Sequence, residues 1–225
     1  VKLMKTAIIF DMDGTLFQTN VILEPALERT FEYLRQNNLW SGATPIEKYR
    51  EIMGVPLNVV WKSLCPDHSD KIREKSNHYF QAALIEEIRQ GNGALYENVL
   101  QTLQSLSESY PLFIASNGET PYLQAIMSTY NLERWIKGCY SIDIIPSKNK
   151  SHLVERIIKE HNIVSGFVVG DRASDINAAT DNNLIAIAVN FDFAQLEEIK
   201  KAHHIAEQFP QIIDIMNTYR IRSVG

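Results

Sequence analysis

The hydrophobic positions of this chain change their period as it proceeds. Thr6 to Phe10 is an apolar run without polar alternation, which predicts a short strand buried on both faces of a parallel sheet. After Leu16 the spacing turns helical: Ile22, Leu23, Ala26, Leu27, Thr30, Phe31 and Leu34 form one face that stops at Asn37-Asn38. Thr44-Pro45 predicts a capped short helix running to Met53, Gly54 breaks it, and Pro56 starts another carrying Val59, Val60 and Leu64. Ser69 or Asp70 opens a longer helix through Phe80, Leu84, Ile85 and Ile88, closed by Gly91-Asn92-Gly93.

Strands and helices then alternate. Val99, Leu100, Leu103 and Leu106 predict a helix face, and Pro111 to Ala115 a strand. Thr120-Pro121 predicts the cap of a helix with Leu123, Ile126, Met127 and Tyr130 on one side. Cys139 to Ile145 reads as a weaker strand, and Ser151 opens an amphipathic helix with Val154, Ile157, Ile158 and His161 inward. Phe167 to Val169 and Leu184 to Val189 read as strands, His203 to Ala206 as a short edge, and Ile212 to Tyr219 as a closing helix. This rhythm implies an α/β fold with a mostly parallel, right-handedly connected sheet and helices on both faces. The all-helical block reads as an insertion: a cap of residues 17–92 in a core made of residues 1–16 and 93–225. Trp40, Tyr49 and Trp61 are expected to pack inside that cap.

Composition narrows the setting. The 225 residues are 45% hydrophobic and 22% charged, as in an ordinary globular protein. A net charge of -5 without a cluster of Lys and Arg argues against a nucleic-acid surface. Cys65 and Cys139 lack any metal-binding or redox spacing and read as reduced thiols. The apolar run before Asp11 is short for a signal peptide and no stretch has the length of a membrane span, so the expectation is a cytoplasmic protein without membrane or nucleic-acid partners.

The candidate chemistry sits at strand ends. Asp11 and Asp13 follow the first strand and, by the two-residue repeat of extended chain, project to one side beyond the carboxyl edge, with Gly14 turning the chain. That edge is where open α/β sheets bind ligands. Ser116 and Asn117 follow the second strand, and Asp171 with Asp175 follow Phe167 to Gly170. Lys150 adds a cation at a helix N-terminus, where backbone N–H groups favour an anion. Lys148 competes for that role; Lys150 is preferred because its distance of 21 residues from Asp171 leaves room for one helix and one strand. Two carboxylates about 4 Å apart repel by roughly 4 kcal/mol at an effective dielectric near 20, so Asp11, Asp171 and Asp175 call for a cation. All-oxygen ligands favour magnesium. Asp175 also suits the N-cap of a helix from Ile176, a role compatible with metal binding. Arg172 is expected beside the site or on the surface, and His203-His204 at a strand end.

Together, Asp11-Met12-Asp13-Gly14-Thr15-Leu16, Ser116-Asn117-Gly118, Lys150 and Gly170-Asp171-Arg172-Ala173-Ser174-Asp175 resemble the four motifs of the haloacid dehalogenase superfamily, and the helical insert resembles the cap of its phosphoglycolate phosphatase and phosphoglucomutase branch. The resemblance spans the whole chain and implies a Rossmann-like core. It implies Asp11 as the nucleophile that becomes an aspartyl phosphate and Asp13 as the acid and base. Ser116, Asn117 and Gly118, with Gly14 and Thr15, would hold the phosphoryl group, and Lys150 would offset charge. Asp11, Asp171, Asp175 and the Asp13 carbonyl would hold Mg2+. The substrate would be a small phosphate ester and the protein a monomer or homodimer. The acid at Asp13 favours phosphate esters over the dehalogenase and phosphonate branches. A sugar phosphomutase shares every core residue, and a non-catalytic protein would keep the fold; loss of the acids, its mark, is not seen. Phe17-Gln18-Thr19-Asn20 lacks an acid that many relatives of that branch carry, and Asn190 to Phe193 lacks a glycine, so phosphoglycolate is not the expected substrate. The Gly54-Val55-Pro56 turn is expected to face substrate, with Lys48 or Arg50 available for an anionic one.

Overall fold

The structure, a computed structural model, describes residues 5–52, 55 and 57–222. Within them six strands make one wholly parallel sheet: β1 (Lys5–Phe10), β2 (Leu112–Ser116), β3 (Ile136–Ser141), β4 (Ile163–Gly170), β5 (Ile185–Val189) and β6 (His204–Ala206), in the order β3-β2-β1-β4-β5-β6. Four helices separate β1 from the next α/β unit: α1 (Thr19–Gln36), α2 (Ile46–Ile52), α3 (Leu57–Leu64) and α4 (Asp70–Arg89). Then come α5 (Val99–Ser107), α6 (Thr120–Thr129), α7 (Lys150–His161), α8 (Ala173–Asp181), α9 (Leu196–Ile199) and α10 (Gln211–Arg222).

Alternate strand residues feed two cores. Ile8, Phe10, Ile114, Val169 and Ile187 face the side covered by α5, α6 and α10. Ala7, Ile9, Phe113, Val168 and Ala186 face α7, α8 and α9. Every strand of the interior is therefore apolar on both faces, which is why the pattern shows runs rather than alternation. The first core continues through Leu16 and Phe17 into the helical block, where Leu23, Phe31, Trp61 and Phe80 are buried. The chain leaves for that block and returns side by side: Gln18 N donates to Ala94 O (2.8 Å) and Tyr96 N to Leu16 O (3.0 Å). The strand order reverses between β1 and β4, which opens the sheet's crevice at the carboxyl end of those two strands.

Several boundaries differ from the sequence expectation. β3 runs from Ile136 to Ser141 and a 3-10 turn over Ile142–Ile144 follows, because the Ser141 hydroxyl accepts from Asp143 N (3.1 Å) and ends the strand. Glu119, in extended conformation, is the N-cap of α6, and Thr120-Pro121 is its first turn. Asn149 caps α7 by accepting from Ser151 N (2.9 Å), so the helix starts at Lys150. Arg172 is the N-cap of α8 and Asp175 sits inside its first turn. Leu100 is exposed; Thr102 takes the inward place on α5. Met53, Gly54 and Pro56, and with them most of the turn expected to face substrate, lie outside the described residues.

Candidate active site

Asp11 leaves β1 still bonded to the sheet, its N–H donating to Val169 O (2.8 Å). The Met12 carbonyl then accepts from Leu16 N (2.9 Å) and Phe17 N (3.0 Å), and this winds the following residues into a tight loop. Gly14 turns that loop with φ +75°, and a Cβ there would lie 2.3 Å from Asp171 Oδ2. Only glycine combines that backbone with that approach. Thr15 is fully buried and its hydroxyl donates to Asp171 Oδ1 (3.4 Å). Gly14 and Thr15, expected at the phosphate, are thus set against Asp171, and neither lines the cleft.

Opposite, β4 delivers Asp171, and the first turn of α8 folds Asp175 back so that its carboxylate accepts from the N–H groups of Asp171 and Arg172, both at 3.1 Å. Gly170 leaves the room, since a Cβ would meet the Asp175 side chain at 2.1 Å. From α7 the buried Lys150 ammonium reaches Asp11 Oδ1 (2.7 Å) and Asp175 Oδ1 (2.5 Å). Lys148 is exposed and its ammonium goes to the Asp143 carbonyl (3.2 Å). The two candidate lysines therefore occupy different places, and Lys150 is the one among the acids.

Carboxylate oxygens of Asp11, Asp171 and Asp175 lie within 4.8 Å of one another, all three residues buried. Burial pushes the pKa of each of them up, with Lys150 opposing it, and that of Asp175 reaches about 6. One ammonium against three buried carboxyls leaves negative charge uncompensated, and the donors are all hard oxygens. The set fits a magnesium ion.

Asp13 stands apart from this cluster. Its Oδ1 accepts from Thr19 Oγ1 (2.6 Å), the first residue of α1, and from the hydroxyl of Tyr122 on α6. Burial raises its pKa, while the two hydroxyls and Lys150 pull the other way. Tyr122, buried beside this carboxyl, is held far above the usual phenol range and stays a donor. Ser116, at the end of β2, accepts from Gly118 N (3.0 Å), which points the hydroxyl and leaves its proton for another acceptor.

These groups line a cleft of about 50 Å³: Asp11, Asp13, Ser116, Asn117, Gly118 and Lys150 from the sheet side, and Thr19, Tyr49, Val55, Leu57, Gln81 and Leu84 from the helical block. Leu57 and Asn117 also border a second cavity of about 330 Å³ against Trp61. Lys48 is exposed and Arg50 is paired with Glu47, so neither expected cation lines the cleft. Tyr49 was expected as core packing; it packs on Phe80 and lines the cleft as well. The sequence reading missed Thr19, Tyr122 and Gln81. Each is a hydrogen-bonding side chain on an otherwise apolar helix face, and that is the signal which marks them.

Cys65 and Cys139 are unpaired, and burial pushes their thiols up to about 11 and about 12. Arg172 is paired with Glu198 (2.9 Å), and the His203 and His204 rings bond to Ala186 N and the Tyr219 hydroxyl. No described helix is long and apolar enough to cross a membrane.

Residues 8–189 match the family model of the haloacid dehalogenase-like hydrolases. A pyrophosphatase, PpaX, of Halalkalibacterium halodurans is 21% identical over 220 residues, covering 93% of this chain and 95% of the relative. Among solved structures, a predicted phosphoglycolate phosphatase from Haemophilus somnus superposes with a TM-score of 0.82 at 18% identity, covering 96% of this chain and all of the other. CbbY from Rhodobacter sphaeroides, crystallised with phosphate, superposes with a TM-score of 0.79 at 17% identity, covering 93% and 96%.

Proposed function

This chain belongs to the haloacid dehalogenase-like hydrolases, and from that premise we propose that it is a magnesium-dependent phosphatase acting on a small phosphomonoester through an aspartyl phosphate on Asp11. The observation that carries the proposal is the pairing of two differently held carboxyls at one cleft. Asp11 has an ammonium on its Oδ1, which favours its charged form, while Asp13 has only neutral hydroxyl donors on its Oδ1 to set against the burial that raises its pKa, so of the two it is the better suited to carry a proton. Relatives named for phosphate release, the PpaX pyrophosphatase and the Haemophilus protein, support the same reaction class.

In the first step an Asp11 carboxylate oxygen attacks phosphorus, the ester P–O bond breaks, and Asp13 gives its proton to the departing oxygen. In the second, Asp13 takes a proton from water as the water oxygen attacks phosphorus; the bond to Asp11 breaks and inorganic phosphate leaves. Ser116 and the backbone of Asn117 and Gly118 would bind phosphoryl oxygens, and Lys150 would hold Asp11 in place and offset charge. Asp11, Asp171, Asp175 and the Asp13 carbonyl would hold magnesium, which supplies compensation for the phosphoryl charge when bound.

The helical block, residues 17–92, would be the cap that shuts the cleft from water, on a core of residues 1–16 and 93–225; the paired entry and exit segments support that division. The acidic net charge supports a small-molecule substrate in place of a nucleic acid, and the unpaired thiols support a cytoplasmic setting. The test is release of inorganic phosphate from aryl, sugar, polyol and nucleotide monophosphates with magnesium, with chelator, and in Asp11→Asn. Turnover lost with chelator and in Asp11→Asn is the expected result; turnover that survives both would overturn the proposal.

A further inference from the structure

The cleft contains a polar group that nothing in the chemistry above uses. Gln81 projects from α4, is 7% exposed, and lines the cleft beside Leu84. Its Oε1 is sealed from water and has no hydrogen-bond partner. Buried amides are almost always bonded, so an orphan of this kind points to a missing partner. An amide presents one donor group and one acceptor, the complement of a hydroxyl.

The walls around it decide what that hydroxyl belongs to. Among the described residues the helical block contributes Thr19, Tyr49, Val55, Leu57, Gln81 and Leu84, without a cation. The cations on the sheet side are committed: Lys150 to Asp11 and Asp175, Arg172 to Glu198. The adjoining cavity carries four carboxylates, on Asp70, Glu74, Glu119 and Asp143, against three cations. Of those cations, Arg73 donates to the Cys65 carbonyl and to Asp70. A second anionic group held in the cleft beside Gln81 would therefore meet only cations already committed to carboxylates, which is strongly unfavourable.

Resting on the phosphatase reading, we propose that Gln81 is a specificity-determining residue that binds a hydroxyl of an uncharged leaving group, so that the substrates are phosphate monoesters of small neutral polyols. Esters whose leaving group carries a carboxylate or a second phosphate are poor substrates.

The experiment measures kcat/KM with magnesium for glycerol 1-phosphate, phosphoglycolate, pyrophosphate and p-nitrophenyl phosphate, in the wild type, Gln81→Leu and Gln81→Lys. The wild type is expected to prefer glycerol phosphate over phosphoglycolate by about 10-fold or more, and Gln81→Leu to lower the ratio of glycerol to aryl phosphate by about 10-fold or more. Gln81→Lys, which supplies the missing cation, is expected to shift preference toward phosphoglycolate. Titration of glycerol 1-phosphate into Asp11→Asn and Asp11→Asn/Gln81→Leu reads the same contact as binding, without turnover. A wild type that prefers phosphoglycolate or pyrophosphate, or a Gln81→Leu ratio within about twofold of the wild type, overturns the inference and leaves the phosphatase reading standing. Absence of Asp11-dependent turnover on every ester, the aryl phosphate included, overturns the reading and the inference with it.

Discussion

Replacing Lys150 by Met isolates the electrostatics of the site, because it removes the ammonium and keeps most of the buried stem. The side chain is 4% exposed and sits 2.7 Å from Asp11 and 2.5 Å from Asp175. Deleting one partner of a buried ion pair costs about 3–5 kcal/mol, and here two carboxyls lose their partner at once. The loss is limited by proton uptake. Asp175, already pushed up to about 6 with Lys150 in place, moves higher without it and keeps a proton near neutrality in the folded state. A net loss of about 2–4 kcal/mol at pH 7.5 follows, which in a chain of this size is a fall in Tm of roughly 5–15 °C.

Thermal unfolding in chelator reads it directly. The sign is fixed by linkage: a carboxyl whose folded pKa is raised adds stability at low pH that is lost as pH climbs through that pKa, so the penalty shrinks at pH 5.5. Saturating magnesium should raise the Tm of Lys150→Met more than that of the wild type, since the ion meets three acids with no competing ammonium. Lys148→Met, at an exposed site bonded only to a backbone carbonyl, should leave Tm within about 2 °C. A Lys150→Met protein as stable as the wild type in chelator at pH 7.5, or a larger effect from Lys148→Met, would refute the reasoning.

Tyr122→Phe removes one of the two hydroxyls on Asp13 Oδ1; kcat/KM should fall about 10-fold or more on alkyl phosphates and less on p-nitrophenyl phosphate, whose leaving group needs no proton, and equal losses on both would reject a positioning role. Gly14→Ala forces a Cβ to 2.3 Å from Asp171 Oδ2 at φ +75°. It should cost about 2–4 kcal/mol in chemical denaturation and weaken magnesium binding, and unchanged affinity would count against the placement of Asp171 at the metal. In the wild type, Asp175 loses its proton as pH rises through about 6 and the buried acids then destabilise the metal-free fold. The Tm gain from magnesium should therefore be larger at pH 7.5 than at pH 5, and the opposite order would contradict the acid cluster as its site.

The parts of the site that were legible in sequence are those whose position follows from local periodicity. Asp11, Ser116 and Asp171 each follow an apolar run, and parallel strands in register bring run ends together: Phe10 pairs with Ile114 on one side and Val169 on the other. What stayed hidden depends on rotation and on partners remote in sequence. Thr15 lies next to Gly14 in a loop that looks built for phosphate, yet the turn at Gly14 rotates its hydroxyl toward Asp171. Tyr122 meets Asp13 across 109 positions through the docking of α6. β3 was misplaced because its middle, Lys137 to Tyr140, is only partly covered, so its apolar signal is weak on both faces.

The same division separates reaction from selectivity. The acids and Lys150 hang from the sheet edge and the helix starts beside it, where two cores fix the backbone, so one spacing of motifs suffices to define them. The cleft's other wall comes from helices packed by side-chain faces, and there selectivity is carried by single exceptions to an apolar stripe. On α4, Gln81 stands three residues before Leu84 and seven before Ile88, a stripe that is otherwise buried and hydrophobic. A helix read for its fold needs an apolar residue at that place, and Gln81→Leu should accordingly cost little stability while changing which ester is cleaved. A variant that lost stability and kept its substrate ranking would reverse that assignment and make Gln81 a packing residue of the helical block.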